Sequence, residues 1–193
     1  MRKLLIVLLL TASAWGGGLP EWKANPVSDG SEDSFGGCSL ACAADWTVSA
    51  SSHLSPQGKN RYDAQQTNDG KLGTCWSEGS DGTGNGEWLE FRFDDLHQEN
   101  LAVDGFLIAN GYHKSNQAWF DNGRVAQLWL ELNGEPQCVL ELLDTRQVQR
   151  VKFPAIAIHK GDRLRLRITR VYPGTRYPDT CLSEVLPEGQ HTH

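Results

Sequence analysis

Apolar residues in this chain recur at every second position, and that period restricts it to half-buried β-strands. Residues 88–93 put Leu89, Phe91 and Phe93 on one face and Trp88, Glu90 and Arg92 on the other. Residues 125–132 alternate Ala126, Leu128, Leu130 and Leu132 against Val125, Gln127, Trp129 and Glu131. Residues 162–171 alternate Leu164, Leu166 and Ile168 against Arg163, Arg165 and Arg167. Successive side chains on a strand point to opposite faces, so each segment covers a core on one side and meets water on the other. Shorter candidates at 45–50, 103–110, 137–142, 149–153 and 181–186 complete eight strands, and no segment carries a helical stripe. Asn133-Gly134 lies between two of them and predicts a tight hairpin, because both turn positions need positive φ. Short strands separated by Gly, Pro and Asn loops predict an all-β antiparallel β-sandwich or jelly roll. No internal repeat is present.

The N-terminus reads as a targeting segment. Arg2 and Lys3 precede the apolar run 4–10, and Ala12-Ser13-Ala14 supplies a small-x-small cleavage pattern. The run is shorter than the roughly 18 residues needed to span a bilayer. Residues 1–14 are therefore expected to be a signal peptide cleaved near Ala14, with a secreted or periplasmic product and no stable membrane span. Residues 15–37, rich in Gly, Pro, Ser and acidic groups, are expected to be a flexible lead-in in which only Trp22 docks. The folded domain is expected over 38–187, followed by a tail at 188–193.

Signal cleavage removes two positive charges from a chain whose formal net charge is already −6. So acidic a domain has no general attraction for nucleic acid or anionic membranes. Five cysteines (Cys38, Cys42, Cys75, Cys138 and Cys181) predict disulfide pairing after export, with one left over. Their spacing does not form the two close pairs of a structural zinc site.

Several motifs then fall in order along the chain. Asn68-Asp69-Gly70 is followed by Thr74-Cys75-Trp76-Ser77-Glu78-Gly79, and then by Gly84-Asn85-Gly86-Glu87-Trp88-Leu89. Asn110-Gly111-Tyr112-His113-Lys114-Ser115 and Asn122-Gly123-Arg124-Val125 come next. Asp144-Thr145-Arg146 with Gln149, and Val171-Tyr172-Pro173-Gly174 with Tyr177, Asp179-Thr180 and Ser183-Glu184, close the series. In this order they resemble a discoidin (F5/8 type C)-like, galactose-binding-like domain. The closer resemblance is to the subgroup named after the translocation domain of bacterial NAD glycohydrolases. It covers roughly residues 38–186 and implies the jelly-roll fold, with no implication of NAD cleavage. Cys75 departs from the pattern, which has a small residue before the tryptophan.

The resemblance also implies a structural Ca²⁺ between the 68–76 loop and the last strand, with Asp69, Thr74 and Glu184 as side-chain ligands. A hard cation taking six to eight oxygens suits a glycine-rich loop that turns carbonyls inward. The alternative is a plain turn in which Asp69 caps its own backbone. Since the ends of a jelly roll often meet, Cys42 is expected to bridge to Cys181.

Glu78, Asn110, Tyr112, Lys114, Asn122, Arg124, Tyr172, Tyr177 and Asp179 all fall at strand ends or in loops, where binding groups are usually carried. Tyrosines stack on the apolar face of a sugar ring, while Asn, Arg and carboxylates read its hydroxyls. The other reading is a hydrogen-bonded framework that pins long loops. Arg163, Arg165 and Arg167 read as a solvated, acid-paired face more than as an anion site. Trp129 and Trp119 are candidate ligand platforms, or cover for a sheet or a partner protein. The loop 81–86 copies only the start of a calcium-binding EF-hand loop, and Arg92 stands where its last ligand belongs.

No HExxH, GxSxG or phosphate loop occurs, and Glu87 and Glu90 point to opposite strand faces. Catalysis is not expected. The expected function is an exported binding module for a glycan or other cell-surface ligand. The alternative is a module that docks on a secreted or envelope protein without binding sugar.

Overall fold

The period-two segments become strands in the computed structural model, which describes residues 18–27, 35 and 40–190. Chain order is β1 (Glu21–Lys23), β2 (Asn25–Pro26), β3 (Ala44–Ala50), β4 (Trp76–Ser77), β5 (Trp88–Leu96) and β6 (Ala102–Asn110). A short helix α1 (Asn116–Asp121) precedes β7 (Gly123–Leu132), β8 (Glu135–Glu141), β9 (Gln149–Ala157), β10 (Arg163–Tyr172) and β11 (Thr180–Gln190). The expected signal peptide, Cys38 and residues 191–193 lie outside the described residues.

Two layers form an antiparallel β-sandwich of jelly-roll type. One layer runs β2–β9–β6–β11, with β4 paired to the start of β11. The other runs β3–β5–β10–β7–β8–β1. The layers connect where Thr180 and Cys181 of β11 run parallel to Gly123 and Arg124 of β7. All eight expected strands are present, several with longer ends. Asn133 and Gly134 have φ of 54° and 91°, as the β7–β8 hairpin turn requires.

The inward rows predicted from the sequence make the core. Leu89, Phe91 and Phe93 of β5, Leu128 and Leu130 of β7, and Leu164, Leu166 and Ile168 of β10 are buried together. They face Val103, Phe106 and Ile108 of β6 and Val151 and Phe153 of β9. Phe91 and Phe106 meet across the layers with ring centroids 6.0 Å apart. Burying each such side chain contributes about 1.5–3 kcal/mol.

Outside the second layer, Arg165 and Arg167 of the arginine row are acid-paired. Arg165 binds Glu90 at 2.7 Å and stacks over Trp88 at 4.2 Å, and Arg167 binds Glu131 at 2.7 Å.

Three expectations are corrected. Part of the expected lead-in is ordered: β1 pairs in parallel with β8, β2 pairs with β9, and Trp22 packs on the core. These strands lack an apolar period because they sit at the sandwich edges, held by backbone bonds and one aromatic anchor. Glu188 to Gln190 continue β11 against β6 and are not a loose tail. Trp119 is buried, with its ring nitrogen donating to the Asn110 carbonyl at 2.8 Å, so it forms no platform.

Candidate ligand-binding cleft

The end of β6, the beginnings of β7 and β11 and helix α1 converge at one end of the sandwich. The long β3–β4 connection folds over the same end. Between them lies a cleft of about 310 Å³. Tyr62, Tyr112 and Cys181 line it, with Leu54, Gln57 and Ser77 on one side and Lys114, Gln117, Asp121 and Asn122 on another. Tyr177 and Asp179 complete the lining.

Local sequence explains how these groups are presented. Gly111, at φ 90°, turns the chain out of β6; a Cβ there would meet Arg124 and Trp119 atoms at 2.7 Å. The Ser115 side chain caps α1 by accepting from the Ala118 amide at 3.0 Å. Gly174 lets the 173–179 loop lie against the α1–β7 junction, with the Asp121 carbonyl 2.4 Å from where a Cβ would stand. The Thr175, Arg176 and Tyr177 amides then donate to carbonyls of Phe120 and Asp121.

The nine sequence-predicted ligand residues divide into two groups. Tyr112, Lys114, Asn122, Tyr177 and Asp179 line the cleft. Tyr62 meets Tyr112 edge-on at 6.4 Å, and the Lys114 ammonium sits 6.0 Å from the Tyr112 ring while donating to Asn60 at 3.0 Å. Burial, with the neighbouring Cys75 next, pushes the Tyr112 phenol well above its usual range, and burial also raises Tyr62. Both phenols therefore stay neutral at physiological pH. Tyr177 remains 41% exposed at the rim.

Glu78, Asn110, Arg124 and Tyr172 are engaged inside the fold. Buried Glu78 accepts from the Thr180 amide at 3.1 Å and from the Ser80 amide and hydroxyl. Asn110 brackets Val125, accepting from its amide at 2.9 Å and donating to its carbonyl at 2.8 Å. Arg124 grips Asp144 with two nitrogens at 3.0 Å, donates to the Pro173 carbonyl at 2.9 Å and stacks on Trp119 at 4.6 Å. Tyr172 donates to the Leu142 carbonyl at 3.0 Å. These four hold the loops that carry the other five.

Sequence reasoning did not single out Gln57, Tyr62, Gln117 or Asp121 as site residues, because each is an isolated polar residue with no local pattern. Asp144 and Arg146 were visible only as part of a motif. Arg146 donates to the His113 carbonyl at 2.7 Å and to Asn116 at 2.9 Å, fixing the segment that carries Lys114. His113 is buried and held down near about 4, chiefly by burial, so it stays neutral beside Arg146.

Behind the cleft, the loop after Asn68 folds against β11. Thr74 donates to both Asp69 carboxylate oxygens at 3.0 Å, and the Lys71 amide donates to Asp69 at 3.0 Å and to Glu184 at 2.9 Å. Burial first, and hydrogen bonding with the Asp69 carboxyl second, push Glu184 up to about 8. Two carboxyls and a hydroxyl thus converge, although no group of three His, Cys, Asp or Glu suited to a metal occurs among the described residues. Two carboxyls and a hydroxyl are oxygen donors of the kind a hard cation takes.

The cysteine expectation is corrected. Cys42 is exposed at a short 3₁₀ turn (Leu40–Cys42), while Cys181 is buried beside Cys75. The segment bearing Cys42 lies against the far end of β11, where Leu40 approaches Gly189.

Known proteins share this architecture. The described domain resembles the solved CBM32-1 and CBM32-2 domains of Clostridium perfringens ZmpB at a TM-score of 0.63 and 10% identity. That match covers 89% of this chain and 41% of the other, so this chain spans under half of that protein. A fragment (residues 298–461) of a Bacteroides thetaiotaomicron protein described as a chitobiase matches at a TM-score of 0.50 and 16% identity, covering 77% of this chain and 92% of that one. At these identities the likeness establishes the fold. No curated protein matches the sequence. Among the described residues no helix is long and apolar enough to cross a membrane. Residues 42–187, well over half of the chain, match the family described as the NAD glycohydrolase translocation F5/8 type C domain, and the chain belongs to that family.

Proposed function

We propose that this domain is an exported, non-catalytic binding module that takes a glycan into the cleft beside α1. The observation that carries this reading is the cleft's lining. Tyr62, Tyr112 and Tyr177 contribute aromatic rings, and Gln57, Lys114, Gln117, Asn122 and Asp179 surround them with donors and acceptors. Sugars need both, an apolar face to stack on and hydroxyls to be read. The shared fold with CBM32 domains supports the class of ligand.

A structural calcium ion belongs to the same reading. Asp69, Thr74 and Glu184 would hold it, and the ion would neutralise two carboxyls that otherwise face each other. It would fasten the 69–76 loop to β11 behind the cleft.

A glycan array probed with the purified domain tests the proposal. Retention on a defined set of glycans, lost in a Tyr177→Ala variant that melts normally, is the expected result. A blank array, with a secreted or envelope protein recovered by pull-down, would favour protein docking instead. Trp129, 39% exposed on the outer face, is the observation on that side.

A further inference from the structure

Cys75 and Cys181 come from distant parts of the chain and meet at the floor of the cleft. The register of β4 against β11 explains why. Ser77 pairs with Cys181 and Trp76 with Leu182. Cys75 lies two residues before Ser77, so it shares the face of the ladder that carries Cys181, at the diagonal position. Both are free thiols in the structure, packed in one small cluster with Tyr62 and Tyr112. Each is 1% exposed. The other described cysteines are placed differently: Cys138 is enclosed in the main core and Cys42 is exposed at a turn.

We propose that Cys75 and Cys181 form a disulfide that ties the loop ending at Thr74 to the first turn of the last strand. The chemistry is thiol–disulfide exchange with a low-molecular-weight disulfide such as oxidised glutathione. One cysteine thiolate attacks a glutathione sulfur, forming a mixed disulfide and expelling one glutathione thiolate. The second cysteine thiolate attacks the protein sulfur of that bond and expels the other. Two protein thiols are oxidised, one glutathione disulfide is reduced to two thiols, and the two protons pass to the leaving thiolates.

The bond forms while the chain folds. In the folded state both residues are buried, which keeps a dissolved oxidant away from their sulfurs. Once formed, the bond is shielded by the same burial. It closes a loop of over a hundred residues and binds both sheets' junction at β11 to the segment bearing Asp69 and Thr74.

The test is peptide mass mapping of the full chain, folded in a mixture of reduced and oxidised glutathione and digested without reduction. The expected result is a linked pair of peptides containing Cys75 and Cys181, separated by dithiothreitol. Reduction of the folded protein should lower its melting temperature by about 10 °C, the scale expected for a long-loop disulfide. A Cys75→Ala/Cys181→Ala variant should lose that sensitivity to reductant. Recovery of both cysteines as alkylated free thiols, or a bridge from either to another cysteine, would overturn the proposal. The mapping uses the native sequence, so it decides even where the variant does not fold.

Discussion

Glu184 of the last strand faces Asp69 of a loop early in the chain, their carboxyls in hydrogen-bond contact and both reached by the Lys71 amide. The contact ties the loop after Asn68 to β11. It also gives the domain a definite dependence on pH and on cations.

Without a cation, Glu184 holds its proton up to about 8 in the folded chain, against an ordinary value of 4.5. The folded state therefore binds more protons than the unfolded one between those values. That contribution to stability is fully present below about 4.5 and is lost as pH rises through about 8. A melting series in EDTA from pH 5 to pH 9 should show a declining midpoint. Millimolar calcium should raise the midpoint by several degrees at pH 8 and flatten the decline, as expected for a ligand that binds only the folded state. A melt at pH 8 that is indifferent to both EDTA and calcium removes the metal site.

Arg124 is a framework residue, and its loss should be felt in folding. Arg124→Ala strips Asp144 of its partner, leaves the Pro173 and Asn122 carbonyls without a donor and uncovers Trp119. Destabilisation of about 2–4 kcal/mol is expected from the urea midpoint. Arg124→Lys should recover little, because one ammonium cannot replace a planar, two-pronged contact stacked on a ring.

Tyr177 should behave in the opposite way. With 41% of its surface exposed and its phenol at the rim, Tyr177→Ala should change stability by no more than about 0.5 kcal/mol. The same substitution should weaken glycan retention by at least about tenfold, equivalent to roughly 1.4 kcal/mol. Titration calorimetry on the best array hit measures the second effect and a thermal melt the first.

Gly174 tests the rim itself. A methyl group there would press on the Asp121 carbonyl, the Asn122 backbone and the Tyr177 carbonyl, at 2.4, 2.5 and 2.7 Å. None of these is a flexible side-chain tip. Gly174→Ala should cost about 1–3 kcal/mol by overpacking and displace Tyr177 from the cleft. A fluorescence-monitored melt and the array together register both consequences.

The layers of this sandwich are legible in the sequence because burial on one face writes a period of two. That holds for β5, for β10 and for β7 from Leu128 onward; at the start of β7 the alternation fails, because Val125, read as outward, packs in the core. The edge strands β1 and β2 are not legible. They bury little and are recruited by backbone pairing, which leaves no trace in side-chain order. Helix α1 spans only six residues, too few to display a stripe, although Ser115 marks its beginning.

The cleft is half legible. Its segments are marked by motifs, but Asn110 and Arg124 look no different in a sequence from Asn122 and Lys114. Only packing separates the polar groups that hold the loops from those the loops present. The meeting of Cys75 with Cys181 is likewise a product of strand register, which five cysteines in a row do not disclose.

The most direct test of the cleft is an amide nuclear magnetic resonance titration of the domain with the glycan it retains best. Binding in the cleft should shift the amides of residues 112–122 and 177–181, with Tyr62 and Gln57 following, and leave the outer face around Trp129 unmoved. Shifts concentrated on that outer face, or on the edge around Trp22, with residues 112–122 unchanged, would contradict the account.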